Sequence, residues 1–257
     1  MQAYNVPSKE EKLVSPSSRS AFTIGRTVGI LLLLQLAAAL TLPFILSKPI
    51  TVGSPAFLTA VAEDAGQIRL SVLLSFVGSG LTVYLGIAAF KVFGQYSQPA
   101  AQLFLVVCAI SCALDLVQAG TIMSMLSLSN GFVTSGAADS ELYRVVGSAV
   151  ASVRRSAHAI QLLAIGAWMF VFYISLFRFK LVPKVLAAIG LIGVLLQFTG
   201  VTLMMFLGYP SIGEIAMPLL PIHMTVAIWL IVKGFRDPGP VRQGVDNQVG
   251  KSFFVLI

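Results

Sequence analysis

The chain has 257 residues, of which 57% are hydrophobic and 11% are charged, and its formal net charge is +7 at pH 7. Because about a quarter of the residues in soluble domains are charged, this composition predicts a polytopic membrane protein. The basic residues lie at the ends of apolar segments, which argues against a nucleic-acid-binding face. We therefore expect membrane lipids, and not nucleic acid, as partners.

The first 26 residues are polar and show no apolar periodicity, which predicts a flexible cytosolic tail. The apolar segment that follows could also be a signal peptide, since Arg26 precedes it and Ala37 to Ala39 are small. The segment continues to Leu46, however, and this length favours a membrane span.

Six apolar segments have the length of about twenty residues that crosses a bilayer core. The predicted spans are Thr27–Leu46, Arg69–Lys91, Ala100–Leu126, Ala157–Phe177, Val185–Leu207 and Glu214–Phe235. The sequence thus predicts an all-α, six-span bundle over residues 27–235, between cytosolic tails at 1–26 and 236–257.

Short interfacial helices are expected outside these spans. The segment Phe57–Asp64 is predicted to be one of them. The loop Ser127–Ser156 carries apolar residues at helical spacing, which predicts an amphipathic helix. This helix would either lie on the outer surface or extend the fourth span.

Two features of the spans bear on helix packing. In the second span, small residues including Ser71, Ser75, Ser79 and Gly86 favour close approach of another helix. In the sixth span, the prolines 218 and 221 either break the outer half of the helix or lie in its first turns, where a missing amide costs little.

The distribution of basic residues predicts the orientation. Six spans place both termini on one side, and twelve of the 17 Lys and Arg residues fall on that side against five on the other. Cytoplasmic loops carry the excess of Lys and Arg. We therefore expect an inner-membrane protein with both termini in the cytoplasm.

Three segments resemble a known family. They are LVPKVLAAIGLIG (Leu181–Gly193), IWLIVKGF (Ile228–Phe235) and FLTAVAEDAGQIRLSVLL (Phe57–Leu74). Together they resemble a bacterial multi-pass membrane family catalogued as domain of unknown function 4386. The resemblance covers roughly Ile24 to Phe235 and implies a single membrane domain with no established activity.

Polar residues inside the predicted spans define a candidate site. Placed by the helix ends, the following residues fall at similar depths: Gln35, Asp115, Gln118, Gln197 and His223. Polar groups in hydrocarbon turn inward and pair, which predicts a buried polar cluster. Its centre, Asp115 with His223, could bind a ligand or exchange a proton. Alternatively, Asp115 is neutral or hydrogen-bonded and only ties the third and sixth spans together.

A second candidate site lies at the predicted outer face. Its residues are Arg69, Arg144, Arg154, Arg155, His158, Gln161 and Glu214. Clustered arginines beside a histidine could hold the phosphate or carboxylate of a lipid headgroup or an anionic solute. Alternatively, they are interfacial anchors that pair with nearby acidic residues.

The sequence predicts no metal site, no cofactor and no catalytic motif. Cys108 and Cys112 share one helix face, and the two histidines, 158 and 223, differ in predicted depth by roughly 12 Å, too far for one shared haem. The leading hypothesis is therefore a membrane protein that binds or passes a small or lipid-like ligand. The alternatives are an intramembrane enzyme or redox protein, and a structural or assembly subunit.

Overall fold

The protein is a bundle of α-helices. The computed structural model describes residues 16–41, 57–136, 140–209, 215 and 217–236. The helices in these residues are α1 (Pro16–Thr41), α2 (Phe57–Glu63), α3 (Ala65–Phe93), α4 (Gln98–Thr134), α5 (Ser140–Arg178), α6 (Lys184–Leu207) and α7 (Leu219–Lys233). The predicted all-α class is confirmed.

Five of these helices, α1 and α3 to α6, are long and apolar enough to cross a membrane. The sixth predicted span corresponds to α7, which has 15 residues. At about 1.5 Å per residue, α7 is roughly 22 Å long and shorter than a hydrocarbon core of about 30 Å. Residues 210–214, where this span was predicted to begin, lie outside the described residues.

The six principal helices form a closed ring in chain order. Each of α3, α4, α5 and α6 packs on the next helix, α7 packs on both α6 and α1, and α1 packs on α3. The short helix α2 lies mainly against α4, where the Ser129 hydroxyl donates to the Leu58 carbonyl oxygen at 2.6 Å. A ring of this kind encloses an interior that is lined by side chains of all six helices.

Two predicted boundaries differ from the structure. Helix α1 begins at Pro16, so the last part of the predicted tail is helical, while the segments 1–15 and 237–257 lie outside the described residues. The amphipathic segment was predicted either to lie on the outer surface or to extend the fourth span. The structure shows the second arrangement, because α5 runs without interruption from Ser140 to Arg178. No proline interrupts this segment. Its 39 residues span roughly 58 Å, well beyond the hydrocarbon core.

The prolines of the sixth span lie at the beginning of α7. Pro218 occupies the N-cap position, and Pro221 is the third residue of the helix. A proline in the first turn removes an amide that has no helical partner in any case. The first-turn interpretation is therefore correct, and α7 is not broken by proline.

Helices α1 and α7 approach each other closely at two glycines. A Cβ placed on Gly29 would lie 2.6 Å from the Ala227 carbonyl oxygen, and one on Gly25 would overlap the backbone at Phe235. The spacing of four residues puts both glycines on one face of α1. Of the small residues predicted to promote packing in α3, Gly86 lies against Cys108 of α4.

Aromatic side chains fill the end of the ring formed by the α3–α4 and α5–α6 turns. The Phe93 ring centroid lies 5.3 Å from that of Phe104, 6.0 Å from that of Phe179 and 6.3 Å from that of Phe235. The amide of Arg236 donates to the Leu181 carbonyl oxygen at 2.9 Å. This aromatic end is therefore closed by apolar packing and brings the ends of α3, α5 and α7 to one level.

Candidate functional site

A cavity of about 210 Å³ lies inside the ring, away from the aromatic end. Helices α1, α3, α4, α5 and α7 all contribute to its wall. Its polar lining includes Gln35, Ser79, Thr82, Asp115, Gln118, Gln161 and His223. This polar cavity brings together four of the five residues predicted to form the buried cluster.

Asp115 is held by two neighbouring helices. Gln161 Nε2 of α5 donates to Asp115 Oδ1 at 2.7 Å, and the Ser79 hydroxyl of α3 lies 3.1 Å from Oδ2. The same hydroxyl lies 2.9 Å from the Ser75 carbonyl oxygen, so its single hydrogen serves two acceptors. Asp115 thus ties α4 to α3 and α5.

His158 joins the same network through Gln161. With Gln161 Nε2 turned to the carboxylate, its Oε1 faces His158 Nδ1 at 3.1 Å. An amide oxygen only accepts, so Nδ1 carries the hydrogen and donates it. A residue predicted for the outer face is therefore linked through hydrogen bonds to the buried carboxylate.

The predicted Asp115–His223 pair does not form a hydrogen bond among the described residues. His223 lies twelve residues before Phe235, or roughly 18 Å from the aromatic end. Gln161, the partner of Asp115, lies 18 residues before Phe179, or roughly 27 Å from the same end. The carboxylate is therefore further from that end, and the expected link between the third and sixth spans is replaced by links to α3 and α5.

His223 is held by aromatic side chains of α5. The Tyr173 hydroxyl lies 3.0 Å from His223 Nδ1, and the rings of Tyr173 and Trp168 meet the imidazole edge-on at 6.0 and 6.1 Å. His223 is 4% exposed. Tyr173 fits there because Gly190 of α6 has no side chain, and a Cβ at that position would overlap the phenol ring.

We expect Tyr173→Phe to lower the free energy of unfolding by about 1 kcal/mol, because it leaves a buried imidazole nitrogen without its partner. Unfolding is followed through the reaction of the fully buried Cys108 with a fluorogenic maleimide, in a Cys112→Ser background. Tyr84→Phe, at an exposed position, is the matched control. Equal stability of the two variants would show that the Tyr173–His223 bond contributes nothing.

A second cavity of about 350 Å³ lies beside the first and is walled by α1, α5, α6 and α7. Its lining is mainly apolar and includes Met169, Met204, Met217 and Leu220. Five residues line both cavities: Leu36, Ala39, Ile165, Met169 and His223. The apolar cavity and the polar cavity therefore adjoin, with His223 at their boundary.

The three glutamines that were predicted to belong to the buried cluster all lie on the walls of these cavities. Gln35 Nε2 donates to the Thr82 hydroxyl oxygen at 2.6 Å, and Gln118 Oε1 lies 3.3 Å from the Thr121 hydroxyl. Gln197 faces the apolar cavity, and its Nε2 donates to the Leu162 carbonyl oxygen at 3.1 Å. The Oε1 atoms of Gln35 and Gln197 are buried without a partner.

The predicted outer-face residues do not all converge. Arg69 and Arg155 are exposed on different helices, whereas Arg154 and His158 are partly buried on α5. Among the described residues the ion pair is Arg144 with Glu141 at 2.6 Å, on the surface of α5. Of this set, Gln161 lines the polar cavity and His158 is joined to it by a hydrogen bond to Gln161, while Glu214 lies outside the described residues.

Metal centres and catalytic triads are two further arrangements that buried polar side chains can form. Within the described part of the chain, no group of three His, Cys, Asp or Glu side chains could hold a metal ion. Ser79 hydrogen-bonds to Asp115, while His223 hydrogen-bonds to Tyr173. Ser79, His223 and Asp115 are therefore not joined by the described hydrogen bonds in the order serine, histidine, aspartate of a catalytic triad.

Sequence reasoning did not identify two residues that shape the site, and it assigned a third, Gln161, to the outer face only. Gln161 bridges Asp115 and His158, Tyr173 anchors His223, and Trp168 lines the polar cavity. A glutamine inside an apolar segment is a usable signal, because hydrocarbon disfavours an unpaired amide. Tyr173 and Trp168 gave no such signal, since aromatic residues are common throughout these spans.

The comparisons with known proteins concern the whole helical ring. The family described as Domain of unknown function (DUF4386) matches residues 27–234. The chain belongs to this family. No curated protein and no solved structure matches it. The DUF4386 protein is thus a multi-pass membrane protein whose helical ring, with its two cavities, coincides with the family segment.

Proposed function

We propose that this DUF4386 protein binds a small or lipid-like ligand inside its helical ring. The observation that carries the proposal is the pair of adjoining cavities, one polar and one apolar. A packed membrane bundle leaves few voids larger than a water molecule. An interior of this size, with buried hydrogen-bonding groups on its wall, is typical of a ligand site.

The aromatic end favours binding over free passage. Phe93, Phe104, Phe179 and Phe235 pack against one another at the end of the ring near the two short turns. The cavities lie on the other side of this packing. The excess of Lys and Arg on the same side as the turns supports a cytoplasmic location for the aromatic end in a bacterial inner membrane. The ligand site would then open from the outer half of the bilayer.

A photoreactive probe tests the proposal. The protein is placed in lipid nanodiscs and labelled with decanol that carries a diazirine, with unlabelled decanol as competitor. We expect saturable labelling of peptides from α6 and α7 that line the apolar cavity, including Met204 and Leu220. Unsaturable labelling spread over the lipid-facing surface would overturn the proposal.

Two matched variants locate the binding. Ala39 lines both cavities, so Ala39→Trp should fill the shared space and lower the affinity by about tenfold, because overpacking costs about 1–3 kcal/mol. Ala37 lies on the same helix and is exposed like Ala39, but it lines neither cavity, so Ala37→Trp should leave saturable labelling unchanged. Equal effects of the two substitutions would contradict a site between the helices.

A further inference from the structure

Each cavity has on its wall a buried amide oxygen for which the described residues provide no hydrogen-bond donor. Gln197 Nε2 faces the Leu162 carbonyl oxygen, which can only accept, so Gln197 Oε1 must be the atom turned away. Gln197 is 6% exposed, and this oxygen has no partner. The apolar cavity therefore contains a buried acceptor that has no donor among the described residues.

The polar cavity has the same imbalance. Gln35 Nε2 donates to Thr82, whose hydroxyl lies 3.4 Å from the Gly78 carbonyl oxygen, and Gln35 Oε1 remains unpartnered. The Ser75 hydroxyl is bonded to the Ser71 carbonyl oxygen at 2.8 Å. The hydroxyl hydrogens are thus directed to backbone oxygens and Asp115, while an amide oxygen is left over. Leaving such a group unpaired costs about 1–3 kcal/mol.

The charged residue on the wall of the polar cavity is an acid. Asp115 is the acidic residue on the wall of the polar cavity, and neither cavity is lined by a Lys or Arg among the described residues. The indole of Trp168 forms part of the same wall. A carboxylate and an aromatic ring both attract a cation, whereas a ligand anion would meet the carboxylate with no compensating charge.

We infer that the ligand is an alkylammonium amphiphile, with its positively charged amine head beside Asp115 and Gln35 and its hydrocarbon chain in the apolar cavity. An ammonium group supplies three hydrogen-bond donors and no acceptor. It can thus donate to Gln35 Oε1 and pair with Asp115 in the polar cavity at the same time. The methionines of the apolar cavity are flexible apolar side chains that adapt to a chain of variable shape. This inference rests on the proposed function and adds the chemical class of the ligand.

Competition against the diazirine decanol tests the inference. The competitors are decylammonium, decanol and decanoate, each corrected for its partition into empty nanodiscs. We expect decylammonium to compete at least about tenfold more strongly than decanol, and decanoate to compete most weakly, because charge-assisted hydrogen bonds are roughly twice as strong as neutral ones. Equal competition by decylammonium and decanol in the unmodified protein would overturn the inference.

The role of the carboxylate is tested by substitution. Asp115→Asn should reduce the preference for decylammonium over decanol to within about threefold, while decanol labelling persists and shows that the bundle is folded. Glu63→Gln, at an exposed position of α2, removes the same charge and should keep the preference. A preference that survives Asp115→Asn would overturn the inference.

A second variant applies if Asp115→Asn does not fold. Gln35→Met removes the unpartnered amide oxygen from the polar cavity without changing charge, and it should weaken decylammonium more than decanol. Equal weakening of both competitors would count against the ammonium class. If the diazirine decanol gives no saturable labelling at all, the proposed function itself fails, and this outcome is distinct from loss of charge preference.

Discussion

Gly29→Val is expected to lower the free energy of unfolding by about 3 kcal/mol, the upper part of the usual range for overpacking. A Cβ at this position would lie 2.6 Å from the Ala227 carbonyl oxygen and 2.9 Å from Ile231 Cγ1. The first of these atoms belongs to the backbone of α7, which cannot move without moving the helix. Because α7 closes the ring against α1, we expect the contact between the two helices to open.

The measurement is the thermal unfolding curve followed through maleimide labelling of Cys108 in the Cys112→Ser background. The matched control is Gly80→Val, which adds the same atoms to an exposed helical glycine with no heavy atom within 4 Å. We expect the control to unfold at the temperature of the parent protein. Similar curves for Gly29→Val and the parent would show that α1 and α7 do not pack through this glycine.

Gln161→Leu is the second substitution with a large expected effect. It removes the 2.7 Å hydrogen bond to Asp115 Oδ1 and the partner of His158 Nδ1 in one step. A carboxylate that loses a partner inside the bundle costs more than a neutral group, so we expect a loss of about 2 kcal/mol or more. Gln102→Leu, an exposed glutamine on α4, is the control and should have little effect.

A double-mutant cycle with Asp115→Asn identifies the source of this loss. If the cost of Gln161→Leu arises from the carboxylate, it should fall by about 1 kcal/mol or more when the residue at 115 is neutral. Additive effects, within about 0.3 kcal/mol, would mean that Gln161 and Asp115 are not coupled. The same Cys108 labelling assay measures all four proteins of the cycle.

The helices were predicted from the sequence with good accuracy, and the reason is physical. A span must satisfy its backbone hydrogen bonds internally and expose apolar side chains to lipid, so it leaves a continuous apolar segment in the sequence. The segments that became α3, α4 and α6 were predicted in this way. The prediction that Asp115, Gln35, Gln118 and His223 share an interior cavity follows from the same rule, since polar groups avoid lipid.

The pairing of those residues was not predicted, because depth along one helix does not give the partner on another. Asp115 was expected near His223, but it hydrogen-bonds to Gln161 and Ser79, while His223 hydrogen-bonds to Tyr173. The two groups lie at different distances from the aromatic end. The outer arginines illustrate the same limit, since Arg69 and Arg155 are exposed on separate helices.

Composition and apolar segment length alone determined that this chain is a multi-pass, all-helical membrane protein, because hydrocarbon acts on every residue of a span in the same way. Only the tertiary structure decided that the helices close into a ring, that Gly29 allows α7 to approach α1, and that the polar cavity adjoins an apolar one. These features depend on which helix faces are in contact. Many pairings of helix faces satisfy the same hydropathy pattern, and side-chain packing selects among them.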